Sequence, residues 1–167
     1  MAAAQAQEEK PLFAGVLNGI RVYTPTDGKA FRRYCTKGAV ESFRTTDRLT
    51  FGYLPPGTFA ETPQYEGLCP DGSVAFIVQQ FGGAYFGLTI AYEPGEHAVP
   101  SMASADRVSA TTVGGRPALA IQPATPEGFG RSAVVVAFPT GLLKVEADGL
   151  PFAQTRKIAE GVRCERC

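Results

Sequence analysis

Short runs of β-branched and aromatic residues fill most of the chain between residues 20 and 147, and Gly or Pro separates each run from the next. Such runs are typical of β-strands, and such breaks are typical of turns. The longest two, 74–81 and 85–92, flank Gly82-Gly83-Ala84. A connection this short predicts that the two strands lie antiparallel. The sequence therefore predicts a sheet built mainly from strands that are neighbours in the chain.

Two further breaks have the composition of turns and loops. Gly114-Gly115 can adopt the positive φ angles of a two-residue turn, so the runs on either side are predicted to pair. Residues 123–130, PATPEGFG, are predicted to form an exposed loop. The other predicted strands are 20–24, 49–54, 107–113, 116–122, 132–138 and 142–147.

After Asp148-Gly149 the apolar spacing changes from that of a strand to that of a helix. Pro151 suits a first helical turn, and basic side chains follow towards the C-terminal end, where the helix dipole favours them. The sequence therefore predicts an α+β fold: a mainly antiparallel, curved sheet of successive hairpins with one C-terminal amphipathic helix packed on it. The predicted buried stripe of the helix is Phe152, Thr155, Ile158, Ala159 and Val162.

Length and net charge limit the organisation and the partners. The chain has 167 residues, the usual size of one domain, so we expect a disordered lead-in over 1–10 and a single β-rich domain over 11–167. No apolar run approaches the ~18 residues that cross a bilayer, so no membrane span is predicted. Sixteen basic and sixteen acidic residues cancel, which argues against a general nucleic-acid binder.

The charges are nevertheless unevenly distributed along the chain. The segment 29–48 has six basic residues against two acidic ones, a net charge of +4, whereas residues 49–106 contain acidic residues and no Lys or Arg. Either the two segments lie close together and neutralise each other, or the basic segment forms a patch that faces an anion.

Four cysteines, Cys35, Cys69, Cys164 and Cys167, allow three disulfide connectivities. A bond between Cys35 and Cys69 would close a long loop and stabilise the fold by about 4 kcal/mol, against about 2 kcal/mol for the short ring between Cys164 and Cys167. An even cysteine count favours an extracytoplasmic protein, either periplasmic, on the cell surface or secreted. The Ala-Gln-Ala stretch after Met1 is similar to a signal-peptidase region, so we expect the chain to begin near a mature end.

Three short motifs resemble those of the extracytoplasmic C-terminal domains of bacterial anti-sigma-factor-like proteins, relatives of the curved-sheet lipoprotein-carrier group. They are LPPGTF at 54–59, VGGRPA at 113–118 and KIAE at 157–160, and the likeness covers about 54–163. The resemblance implies a partly open sheet whose concave side, covered by a helix, holds a lipid-like or peptide segment, with no catalytic residues. The cysteines and the basic segment are additional to that pattern.

Residues that could carry catalysis are sparse. His97 is the single histidine, which excludes a multi-histidine metal site, and it lies in a turn sequence, so we expect a solvated side chain. Neither a Gly-x-Ser-x-Gly nucleophile motif nor a phosphate-binding P-loop motif is present. The acidic residues Glu61, Glu66 and Asp71 fall among Pro and Gly residues and are predicted to lie in loops.

Cys164-Glu165-Arg166-Cys167 is the one motif with known redox and metal chemistry. It follows the C-terminal end of the predicted helix, where the dipole raises a thiol pKa instead of lowering it, which argues against thiol exchange. A zinc site would need Cys35 and Cys69 to converge on the same point.

We therefore expect a non-enzymatic extracytoplasmic binding or sensing module, without a cofactor, for an apolar or peptide ligand or an envelope protein. A thiol-dependent redox or zinc module at the C-terminal cysteines, and a structural domain of a larger envelope or secreted assembly, remain open alternatives. The residues predicted to line the ligand surface are Phe76, Phe81, Tyr85, Phe86 and Tyr92.

Overall fold

The computed structural model describes residues 12–24, 34–95, 98–123 and 130–167. The predicted lead-in 1–10, most of the predicted loop 123–130, His97 and the basic residues of 29–33 lie outside this part of the chain. The strands are β1 (Gly15–Leu17), β2 (Ile20–Tyr23), β3 (Ser42–Thr45), β4 (Leu49–Phe51), β5 (Phe59–Ala60), β6 (Tyr65–Leu68), β7 (Val74–Gly82), β8 (Gly87–Pro94), β9 (Ala98–Pro100), β10 (Val108–Val113), β11 (Arg116–Ile121), β12 (Arg131–Phe138), β13 (Gly141–Asp148) and β14 (Val162–Cys164).

Nine of these strands form one antiparallel sheet, here called the main sheet. Its order is β10-β11-β12-β13-β8-β7-β6-β3, and β5 also pairs with β7. Five pairs of its strands that are consecutive in the chain are antiparallel: β6 with β7, β7 with β8, β10 with β11, β11 with β12, and β12 with β13. The predicted class, a mainly antiparallel sheet with one helix near the C-terminus, is confirmed.

The predicted helix forms as α1 (Phe152–Gly161), directly after Pro151. Thr155, Ile158 and Ala159 are its buried residues, and α1 packs on β12, β13 and β10. The Thr155 hydroxyl lies 2.6 Å from that of Ser132 on β12, so two buried polar groups satisfy each other. The helix thus covers one face of the main sheet.

Val162 was predicted to belong to the helix, and this is wrong: it begins β14, which pairs with β4. The helix ends at Gly161 because the chain there approaches the backbone after β4. The Gly52 N–H donates to the Gly161 carbonyl at 2.7 Å, and a Cβ on Gly161 would lie 2.9 Å from the Tyr53 nitrogen. A side chain at position 161 would therefore push α1 away from this contact.

The opposite face of the main sheet is covered at one end by a small sheet of order β1-β2-β9. Its Ile20 and Val22 pack on Leu119, Val135 and Leu142 of the main sheet. Strand β12 therefore lies between two apolar layers and is buried on both sides along 132–136. Its unbroken apolar run, in place of an alternating one, is the sequence pattern of such a strand.

Within the described residues, no helix is long and apolar enough to cross a membrane.

Candidate binding site at the β3 edge

The two edges of the main sheet differ in how their backbone groups are satisfied. Asn18 contacts the β10–β11 pair from the face of the sheet, where its amide donates to the carbonyls of Thr111 and Ala118 at 2.9 and 3.1 Å. These two residues form a hydrogen-bonded pair, so their carbonyls point between the two strands and not outward. From the helix side, Arg156 donates to the Thr111 hydroxyl at 2.9 Å and to the Thr112 carbonyl at 2.8 Å. Arg156 therefore caps one outward backbone group of the β10 edge, the Thr112 carbonyl, and such a cap protects an edge against pairing with another chain.

The β3 edge has no such cap in the described part of the chain. All four residues of β3 are exposed, and within the described ranges the strand pairs only with β6. The Thr46 N–H donates to the Gln64 carbonyl at 3.0 Å. This bond shows which residues of β3 point their backbone groups to β6, because hydrogen-bonded residues alternate along the strand. By that alternation, Arg44 directs its backbone groups to β6, and Phe43 and Thr45 direct theirs to solvent.

Four aromatic rings lie beside this edge, on the face opposite to α1; we call Tyr34, Phe43, Tyr65 and Phe76 the aromatic cluster. The ring centroids of Tyr34 and Phe76 are 5.3 Å apart, and those of Phe43 and Tyr65 are 6.1 Å apart. Phe43 remains 64% exposed, although it is a large apolar residue. An exposed apolar surface next to an open strand edge is a combination that is typical of binding sites.

A glycine lets the aromatic cluster form. Gly67 on β6 lies opposite both Phe43 and Phe76, and a Cβ there would be 2.7 Å from the Phe76 ring. The Phe76 ring therefore packs directly over the backbone of β6. Val40 closes the other side of this contact, 3.1 Å from the same Cβ position.

The pair Cys35–Cys69 supports the aromatic cluster from below. The Cα atoms are 5.6 Å apart, within the range of a disulfide, and both residues are buried against Ala75 and the Phe76 ring. Because Cys35 directly follows Tyr34, this pair holds the segment that carries the first ring of the cluster. The disulfide expected from the sequence would therefore also hold the aromatic cluster in place.

The turn after Cys69 is held by Asp71. Its carboxylate accepts hydrogen bonds from the Ser73 hydroxyl and from the Ser73 N–H, the latter at 2.9 Å. These hydrogen bonds, that from the hydroxyl first, lower the pKa of Asp71 below its ordinary value. The turn is therefore strengthened above the ordinary pKa of a carboxyl group and weakened as the pH falls through the lowered value.

A group of three charged residues lies at the same edge, on the face towards α1; we call Arg44, Glu66 and Arg48 the charge cluster. The Arg44 Nε donates to one Glu66 carboxylate oxygen, and Arg48 Nη1 lies 3.7 Å from the other. The Glu66 side chain is only 3% exposed, whereas that of Arg44 is 61% exposed. Glu66 was predicted to lie in a loop, and this is wrong: it is a buried residue of β6 whose charge is balanced in the strand pair.

Of the two interpretations of the uneven charge, the structure shows neutralisation where the residues are described, because Arg44 and Arg48 meet Glu66 from the acidic segment. The neutralisation is incomplete, since two guanidinium groups face one carboxylate. Arg48 also donates to the carbonyls of Glu165 and Arg166 at 3.1 and 2.7 Å, which attaches the C-terminal turn to this cluster.

The five aromatic residues predicted to line the ligand surface do not share one surface. Phe81 and Tyr92 are buried in the core under α1, and Phe86 packs partly buried against the same core. Tyr85 is 91% exposed in the connection before β8, which begins at Gly87 and not at residue 85. Phe76 lies on the opposite face in the aromatic cluster. An odd separation along one strand reverses the face, so the difference between positions 76 and 81 already separates them.

The C-terminal cysteines lie elsewhere in the fold. The Cα atoms of Cys164 and Cys167 are 5.5 Å apart at the end of β14, packed against the core under α1 and not against Cys35 and Cys69. No group of three or more His, Cys, Asp or Glu residues is placed to hold a metal ion among the described residues.

A cavity of about 300 Å³ lies between the end of α1 and the β10–β11 connection. Buried Val136 and Leu143 and exposed Arg116 and Arg163 contribute to its lining. The Arg116 guanidinium lies 4.2 Å from the centroid of the Phe138 ring. The cavity is at the lower limit of the size of small-molecule pockets.

No protein-family model, curated protein or solved structure matches the chain. The resemblance to anti-sigma-factor-like domains therefore stays a prediction, and the geometry and charge of the β3 edge are the observations that bear on function.

Proposed function

We propose that this protein is a non-enzymatic extracytoplasmic binding module that accepts an extended segment of a partner protein as an additional strand beside β3. The open edge of β3 beside exposed aromatic rings carries this proposal, whereas at the β10 edge Arg156 already occupies the outward Thr112 carbonyl. A strand that pairs with β3 would satisfy the outward backbone groups of Phe43 and Thr45 and cover the aromatic cluster.

The properties of β3 favour a selective partner over unspecific aggregation. The strand has four residues and carries the exposed charge of Arg44. Short edge strands with a charged residue are devices that limit uncontrolled pairing. A partner segment must therefore supply side chains that match both faces of the edge, because the backbone hydrogen bonds alone are few.

The proposed location rests on the two cysteine pairs at disulfide separation. We further propose the finer fold description, a curved sheet of successive hairpins related to the anti-sigma-factor-like and lipoprotein-carrier groups. Antiparallel pairing of consecutive strands supports it.

A lipid-like ligand between the sheet and the helix is less favoured than a peptide at the edge. Ile158 of α1 and Val134 and Val145 of the main sheet are fully buried, so side chains fill the space under the helix. The cavity at the end of α1 is much smaller than a site for a long acyl chain, which needs a pocket towards the upper part of the usual range.

Substitution of Thr45 by proline tests strand addition. Proline removes the outward N–H and places its ring where the partner strand would lie, yet an edge strand tolerates it because this N–H faces solvent. Peptides selected from a displayed random library on the wild-type protein are expected to lose at least about tenfold in affinity for Thr45→Pro. Titration calorimetry measures the affinity, and changes in the amide chemical shifts of β3 show whether each peptide binds at this edge.

Thr45→Val is the matched control, because it keeps the N–H and the strand propensity and should bind within about twofold of wild type. Unchanged melting temperatures show that both variants fold. Selected peptides that bind Thr45→Pro as tightly as the wild type would show that the open edge is not the binding site.

A further inference from the structure

We infer that the segment accepted by the β3 edge carries an acidic side chain opposite Arg44, between two apolar side chains that face the aromatic cluster. This inference rests on the proposed function and names the chemistry of the partner. It follows from the alternation of β3 and from the net charge of the charge cluster.

The alternation of β3 sets which side chains of a partner meet which surface. Phe43 lies opposite Gly67 and Thr45 opposite Tyr65, on the face of the aromatic cluster, whereas Arg44 lies opposite Glu66 on the other face. An added strand has the same period of two, so directly opposite residues share a face. One partner residue therefore faces Arg44, and its two neighbours in sequence face the rings.

The donors of the two arginines differ in how far they are already used. Arg48 is 24% exposed, and it donates through Nε and Nη2 to the carbonyls of the C-terminal turn. Arg44 uses Nε for Glu66, and its two terminal nitrogens have no partner among the described residues. A guanidinium group with two free terminal nitrogens binds a carboxylate with good geometry, so Arg44 is the group that a partner can engage.

The net charge of the charge cluster indicates whether the partner residue opposite Arg44 is acidic or basic. Arg44 and Arg48 together carry two positive charges against the one negative charge of Glu66. The acidic residues that flank β3, Glu41 and Asp47, lie beyond its ends. A basic side chain opposite Arg44 would add a third positive charge to the cluster, whereas a carboxylate balances it.

The aromatic cluster indicates which residues flank that acidic residue in the partner segment. The exposed ring of Phe43 contributes contact area at low entropic cost, and Tyr65 and Phe76 lie next to it in the partly buried floor. Apolar partner side chains gain most by covering these rings. The expected motif is thus apolar, acidic, apolar in three consecutive residues.

The test uses peptides selected on wild-type protein that Thr45→Pro rejects. We expect an enriched Asp or Glu between two apolar positions. Replacing that residue by Asn or Gln should weaken binding to wild type about two- to fivefold, the effect of an exposed ion pair. Arg44→Gln should bind both peptides equally, and Arg44→Lys should keep a preference for the acidic one. The preference should shrink as NaCl rises towards about 1 M.

Two results would overturn the charge inference while the proposed function stands: selection without an acidic position, or an acidic preference that Arg44→Gln does not change, each with binding that still depends on Thr45. Loss of the dependence on Thr45 would instead overturn the proposed function itself. A wild-type dimer that dissociates in Thr45→Pro would make a second copy of this chain the occupant, and it would overturn the inference because β3 carries no acidic residue.

Discussion

Ile158→Ala is expected to lower the free energy of unfolding by about 2 to 5 kcal/mol. Ile158 is fully buried in the centre of α1 and packs in the core with Val134 and Val145 of the main sheet. Removing its methyl and methylene groups leaves a cavity, because two strands and a helix around the site are held by their own hydrogen bonds and collapse only in part. Urea denaturation followed by circular dichroism measures the change.

Lys157→Ala is the control on the exposed side of the same helix. The Lys157 ammonium lies 4.1 Å from the centroid of the Tyr53 ring, an exposed contact whose loss should cost under about 1 kcal/mol. The helix propensity of alanine offsets part of that loss. Equal and small effects of the two substitutions would show that α1 does not pack on the main sheet in solution.

Replacement of both Cys35 and Cys69 by alanine is expected to destabilise the protein by about 4 kcal/mol and to lower Tm by about 10 °C. The bond closes a long loop, so its loss enlarges the unfolded ensemble, and the buried pair also supports the aromatic cluster. Differential scanning calorimetry measures the shift. The same variant should bind selected peptides more weakly, because the segment of Tyr34 loses its anchor.

The matched control is replacement of Cys164 and Cys167, which close a ring with a sequence separation of 3. In the chain-entropy account this ring contributes about 2 kcal/mol, half of the other bond. Alkylation of denatured, unreduced protein counts the free thiols. Four free thiols would contradict both disulfides and remove the support for an extracytoplasmic location.

The elements that sequence patterns predict well are those with a strong local signal. β7 and β8, β10 and β11, and β12 and β13 are pairs of long runs, each joined by a short connection that contains Gly or Pro, and α1 has a clear change of period after Gly149. The strands that the patterns miss, such as β3, β5 and β9, have two to four residues. Runs this short contain too few residues to establish a period. The pairing of β13 with β8 is also unpredicted, because partners distant in the chain leave no local signature.

The candidate site is predictable only in part for the same reason. Phe76 stands out because it belongs to a long apolar strand. Phe43 lies in a short strand between polar residues, and it contacts Tyr65 only because β3 pairs with β6. Glu66 carries no sign of burial in its local sequence. Its partner Arg44 is 22 positions away, so only the fold brings the two charges together.

The burial of β12 on both faces has a consequence for how the molecule opens. Hydrogen-exchange protection is greatest where an element is enclosed on every side, and it declines towards elements that contact only one neighbour. For this chain we expect protection to decrease across the main sheet from β12, which lies between α1 and the small sheet, to β3 at the exposed edge. Four strands, β13, β8, β7 and β6, therefore separate β3 from the enclosed strand β12. The edge can adjust its twist to an incoming segment while the native state as a whole stays closed.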